Sequence, residues 1–307
     1  MAVVHDARRW GRAAAPAGLL LSAPPLSAAA AQTEWSHHCS ACGKCCNSPP
    51  QLSIPELFHH QRAFIGCLSV RWLAAPGGEL ALTTRAFDTG LSERCPALDA
   101  ERRCSLHDDK KPAVCRVVPF DEWLPDHLQH LVLAERAREA RYIGSDCIVP
   151  GARPGLPVVT RRLEIVDAGA RHSLAERRRD LADERRFWGR ALAPLLRAEL
   201  LARSEPALPP SGFLTLSIAP VLLVLADTSS RSRERCMAYL AAQAPLCERT
   251  LLQARSDGCA ERAAIQQLSA FTSTNARLLA FLAAAPPPRA ALPAGERACL
   301  ERWLGLD

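Results

Sequence analysis

Nine of the chain's thirteen cysteines precede residue 150, and eight of these have a spacing that can do chemistry. Cys39, Cys42, Cys45 and Cys46 form a Cys-x-x-Cys-x-x-Cys-Cys block, and Cys95, Cys104, Cys115 and Cys147 follow over about fifty residues. A Cys-x-x-Cys turn lets two thiolates face one ion, and Gly43 supplies the backbone freedom such a knuckle needs. Soft all-sulfur ligation suits zinc or an iron–sulfur cluster. The Cys39-x2-Cys42-x2-Cys45 spacing matches three thiolates of bacterial ferredoxins and tilts the reading toward iron–sulfur, as a 4Fe–4S cluster. In an extended backbone successive side chains point to opposite sides, so Cys45 and Cys46 are expected not to share one small ion. Eight thiolates could serve two four-sulfur sites, or one site with a reserve.

Other groups are weaker candidates. His37 and His38 flank the first ligand and read as supporting or exposed groups rather than ligands. His107-Asp108-Asp109 reads as a solvated loop, and His59-His60 as a half-exposed helical pair. Arg116 beside Cys115 is expected to offset thiolate charge. Cys67, Cys236, Cys247, Cys259 and Cys299 read as core or isolated residues. The residues name no catalytic group.

The full set is Cys39-x2-Cys42-Gly43-x-Cys45-Cys46, then Cys95-Pro96-x-Leu98, Cys104, Lys111-Pro112-x2-Cys115-Arg116-x2-Pro119-Phe120 and Cys147. It resembles the YkgJ-type cysteine-cluster family. The resemblance covers about residues 35–150 and implies chelation of zinc or iron by all eight cysteines. Lys111 stands where the family usually has Arg, and His107 where it usually has an aromatic residue. Relatives of that family include flagellin lysine N-methylases, so the resemblance also implies an alternative, an iron–sulfur enzyme acting on protein. The Cys-x3-Cys-x2-Cys spacing of radical methyl-donor enzymes is absent. A third reading is a disulfide-stabilised exported protein; the odd cysteine total argues against it.

The elements that must position these thiols are mostly helical. The fold expected is mainly α, with an irregular, metal-organised cysteine-rich domain at 34–150 and a helical C-terminal region at 156–307 that could present a surface to a protein partner. Hydrophobic residues make up 48% of the 307, enough for a core that does not depend on metal. Ser53-Ile54-Pro55-Glu56 has capping-box form and predicts a helix to about Ile65. A second helix is predicted over Asp126–Tyr142. Ser173-x-x-Glu176 predicts another helix start, with Pro194 expected to kink or end that helix. Further helices are predicted near 231–255, 260–284 and 294–304, and short strands near Leu80–Thr84 and Val158–Ile165. Pro150 to Gly155 marks a loop or boundary.

Residues 1–33 read as a low-complexity leader or weak signal-like segment outside the fold. The location expected is cytoplasmic, with export through that segment as the alternative. Phe213–Ala226 is too short to span a membrane and contains Pro220. The net charge of +6 is carried almost wholly by Arg interleaved with acids, as in Glu176-Arg177-Arg178-Arg179-Asp180. That pattern is a solvated helix face rather than a nucleic-acid stripe. The Ala and Arg usage fits a GC-rich bacterial genome.

Overall fold

A computed structural model describes residues 3–5, 34–41, 43, 45–46, 49–72, 80–88, 95–107, 111–138, 145–202, 213–256, 262–286 and 292–306. In chain order the elements are β1 (Val3–His5), β2 (Trp35–His37), α1 (Ile54–His59), β3 (Gly66–Trp72), β4 (Leu80–Ala86), α2 (Ala113–Val117), α3 (Gln129–Arg138), β5 (Ile148–Pro150), β6 (Val158–Arg161) and β7 (Glu164–Ile165). Then come α4 (Ala168–Glu184), α5 (Arg190–Leu201), β8 (Phe213–Ser217), α6 (Ala219–Ala226), α7 (Ser230–Ser256), α8 (Arg262–Ala284) and α9 (Ala294–Trp303). The chain is mainly α with two small sheets. Among the described residues no helix is long and apolar enough to cross a membrane.

The chain divides into two compact units, each discontinuous in sequence. The first comprises Met1–Arg12, Gln51–Glu93 and Ala182–Asp307. The second comprises Ala13–Pro50 and Arg94–Leu181. Of the expected leader, Val3–His5 pairs antiparallel with β8; the rest lies outside the described residues.

The first unit is built on α7 and α8. Cys236, Tyr239, Leu240, Gln243 and Cys247 recur on one face of α7, as Leu268, Phe271, Leu278 and Leu282 do on α8. Spacings of three, four and seven bury one stripe of each helix. Cys67 and Cys247 belong to one apolar cluster with Ile65, Phe87, Leu268 and Phe271, so both behave as core residues. An antiparallel sheet of order β1-β8-β3-β4 completes the unit. Gln243, fully buried, donates to the carbonyls of Gln61 and Phe64 at 2.7 and 3.1 Å and accepts the Gly66 N–H at 3.1 Å. Those three bonds fix the turn between α1 and β3. A Cβ on Gly66 would sit 2.3 Å from the Tyr239 hydroxyl, so only glycine fits there.

Three helix boundaries differ from the sequence expectation. Helix α1 starts at the Ser53 cap, whose N–H donates to Glu56 Oε2 at 2.8 Å. It stops at His59 instead of Ile65, because Gly66–Trp72 is taken up as a strand between β4 and β8. Helix α4 begins at Ala168, not Ser173. Its cap is Asp167, whose Oδ1 accepts the Ala170 N–H at 2.6 Å. Pro194 does not end its helix. A π-helical turn at Arg185–Gly189 precedes α5, which runs through Pro194 to Leu201.

In the second unit a sheet of order β5-β2-β6-β7 packs with α2, α3 and α4 around Trp35, Val117, Phe120, Leu133, Ile148, Val159, Ile165 and Leu174. The cysteine-bearing segments belong to this unit. The expected strand at Val158–Ile165 is the β6–β7 hairpin, and Pro150–Gly155 is a turn with Gly151 and Gly155 at φ +80° and +81°.

Candidate metal centre

The first cysteine block leaves β2 and folds into a knuckle. Ala41 and Gly43 both adopt positive φ, at 55° and 69°. The Cys46 N–H donates to the Gly43 carbonyl at 2.9 Å, closing a turn. Gly43 is required twice over. Its φ is left-handed, and a Cβ would lie 2.0 Å from the Arg102 carbonyl oxygen. The knuckle is thereby pressed against the segment that carries the second block.

That segment is a short irregular hairpin. Leu98 and Cys104 form a β-bridge, and Ser105 N–H donates to the Ala97 carbonyl at 2.9 Å. The Cys95 N–H donates to the Cys46 carbonyl at 2.8 Å, tying the two blocks together by backbone. Cys115 rides on α2, whose N-cap is Pro112. Cys147 ends a 3-10 turn at Ser145–Cys147, and its carbonyl accepts the His38 N–H at 3.4 Å.

The two cysteine blocks approach one another. Cys45, Cys46 and Cys95 lie close enough to perturb one another's ionisation. Cys104 lies within electrostatic reach of Cys46 and Cys95, and Cys115 of Cys95. Lys111 reaches Cys39, Cys115 and Cys45. Cys39, Cys45, Cys46, Cys95, Cys104 and Cys115 are thus each within electrostatic range of another of the set or of Lys111, and none is in a disulfide. Cys147 joins through its backbone. Cys42 lies outside the described residues, as do Asp108, Asp109 and Cys259. Among the described residues no three His, Cys, Asp or Glu groups converge closely enough on one point to form a ligand set.

The sequence expectation places Cys45 and Cys46 on opposite sides of an extended backbone. The Cys46 N–H bond to the Gly43 carbonyl places the pair in a turn rather than an extended strand. The hydrogen bond with Cys46, followed by burial, raises the Cys45 pKa well above that of an ordinary thiol. At Cys46 the bond with Cys45 pulls down, but the bond with Cys95 and burial outweigh it, and the thiol is pushed up to about 12. Cys95 is lowered by its bond with Cys46, against the effect of burial. Crowded thiols that suppress one another's ionisation in this way are relieved by a cation, which favours several thiolates at once. The donor set thus fits a thiophilic metal or cluster.

The cations are arranged differently from the expectation. The Arg116 guanidinium turns away to Glu176, with Nη1 and Nη2 at 2.9 and 3.0 Å from its two oxygens. Lys111 is the cation at the sulfurs, its Nζ 3.4 Å from Cys39 Sγ. Burial pulls its pKa down, yet Cys39, Cys115 and Cys45 leave it raised. The signal in the sequence is a Lys just ahead of Pro112 and Cys115. His107 Nδ1 stands 4.0 Å from the same Cys39 sulfur. His37 is pushed down to about 4 by burial and then by Lys111 and His38. His38 and His59 are exposed, whereas His60 is buried.

Three consecutive residues of α4 hold the segment after Cys115. Glu176 takes Arg116, the buried Arg177 meets Glu122 at 3.4 Å, and Arg178 bonds Asp126 at 2.7 Å and the carbonyls of Glu122 and Leu124. The interleaved charge run, which reads in sequence as a solvated face, is a clamp on the segment that follows Cys115.

No curated protein and no solved structure matches the chain. A family model matches residues 38–140, which hold seven of the eight candidate ligands; Cys147 follows just beyond. The match supports metal binding in general: the model that this stretch resembles is CxxCxxCC, described as a putative zinc- or iron-chelating domain.

Proposed function

We propose that the second unit binds a metal through thiolates drawn from Cys39, Cys42, Cys45, Cys46, Cys95, Cys104, Cys115 and Cys147. The observation that carries this reading is the backbone bond from the Cys95 N–H to the Cys46 carbonyl, which joins two distant cysteine-bearing segments, with the Lys111 ammonium 3.4 Å from Cys39 Sγ beside them. Bringing so many thiols together has no packing advantage over apolar side chains. It does create a soft, anionic donor set once the protons leave. The spacing of Cys39, Cys42 and Cys45 favours an iron–sulfur cluster, with zinc as the other cargo of the same donor set.

The test is anaerobic purification followed by elemental analysis, acid-labile sulfide assay and a visible spectrum. A brown protein with iron and labile sulfide supports the cluster. A colourless protein with stoichiometric zinc supports the zinc form. A natively folded protein that carries neither, and takes up neither on anaerobic reconstitution, overturns the proposal.

A further inference from the structure

One cationic chain of contacts reaches the thiol set from outside it. Lys111 Nζ stands 3.4 Å from Cys39 Sγ, within N–H···S range. The Lys111 carbonyl accepts from Arg116 Nε at 3.0 Å, and Arg116 grips Glu176 through both of its remaining nitrogens. Pro112 follows directly, with φ −52°, and caps α2. The lysine backbone is therefore held on two sides while its ammonium points at sulfur.

We propose that Lys111 tunes the metal centre by hydrogen-bonding the Cys39 sulfur, and that Arg116 and Glu176 position it for this. The proposal rests on the thiolate–metal reading above. A thiolate that accepts an N–H bond gives less charge to its metal and attacks electrophiles more slowly. A nearby fixed positive charge also favours the more negative redox state. Arg116, which the sequence suggests for this role, acts one step back as a positioning residue.

The experiment compares wild type, Lys111→Met, Lys111→Arg and Glu176→Gln, all purified anaerobically, with metal content measured first. Wild type without iron or zinc sinks the metal reading itself and is distinguishable from failure of this inference. In the iron form, Lys111→Met is expected to lower the midpoint potential. A tenfold change in the redox equilibrium corresponds to about 59 mV for one electron. In the zinc form, iodoacetamide labelling of Cys39, followed by peptide mapping, is expected to quicken about fivefold. Lys111→Arg should restore most of either effect, and Glu176→Gln should show a smaller effect of the same sign. If Lys111→Met sheds its metal but stays folded by circular dichroism while Lys111→Arg keeps it, the charge is needed to hold the site, which also supports the proposal. Unchanged potential and unchanged labelling in Lys111→Met overturn it, as does loss of fold in both lysine variants.

Discussion

Both carboxylate oxygens of Glu176 on α4 accept from the Arg116 guanidinium, which α2 places one residue after Cys115. The hydrogen bond from Arg116, first among the causes, holds the Glu176 carboxyl below its ordinary range. A depressed folded-state pKa adds stability above the unfolded pKa of about 4.5, and that stability is lost as pH falls through the folded value. Glu176→Gln is therefore expected to cost about 0.5–1 kcal/mol at pH 7, as for a well-formed but partly exposed ion pair. The gap to wild type should narrow as pH falls below 4.5. Urea titrations at pH 7 and pH 3.5 check both parts.

Gly43 and Gly151 make a matched pair of tests. Both have positive φ, but only Gly43 has a backbone oxygen where a Cβ would go. Gly151→Ala should cost about 1 kcal/mol from backbone strain alone, with metal content unchanged. Gly43→Ala carries the same strain and must also push the knuckle off Arg102. Metal stoichiometry should fall by more than half, and elemental analysis beside thermal melts separates the two outcomes.

Cysteines of the two units should respond differently to truncation. Cys95→Ala and Cys46→Ala are expected to abolish stoichiometric metal. Cys67→Ala and Cys247→Ala remove buried sulfur from the core around Phe271 and should cost about 1 kcal/mol each, with metal retained. Elemental analysis of the four proteins decides the matter; equal metal loss in all four would contradict the assignment.

Arg177 is only 1% exposed and faces Glu122. Removing one partner of a buried pair leaves the other charge unpaired, so Arg177→Met should destabilise the second unit by about 3 kcal/mol. Hydrogen exchange should report the loss at α2, α3 and α4, with α7 and α8 keeping their protection.

Helical periodicity alone makes α7, α8 and α9 legible in the sequence, and the Ser53 cap marks the start of α1. The strands are harder. β3 and β8 lie in apolar runs that read equally well as helix, and only pairing between residues far apart in sequence decides the matter. The start of α4 is obscured because Ser173 and Glu176 imitate a capping box, while the working cap, Asp167, lacks the Glu three residues on. The cysteine spacing identifies the two segments that the Cys95 N–H to Cys46 carbonyl bond joins. It does not reveal that a left-handed Gly43 folds Cys45 and Cys46 into a turn, since that depends on the Arg102 carbonyl. Nor does it reveal which cation faces sulfur, because Arg116 is claimed by a glutamate sixty positions later.

The interleaving of the two units has a consequence for biosynthesis. The second unit has all of its residues once Leu181 is made, whereas β3 and β4 must wait for β8, which joins them only after Phe213. A nascent chain leaving the ribosome can therefore close its cysteine-rich half first. Meanwhile Phe58, Phe64 and Leu68 stay exposed, together with an open strand edge, until α7 and α8 are translated. Folding thus runs inside out along the message, and the stretch from 51 to 93 is where a chaperone would be needed longest.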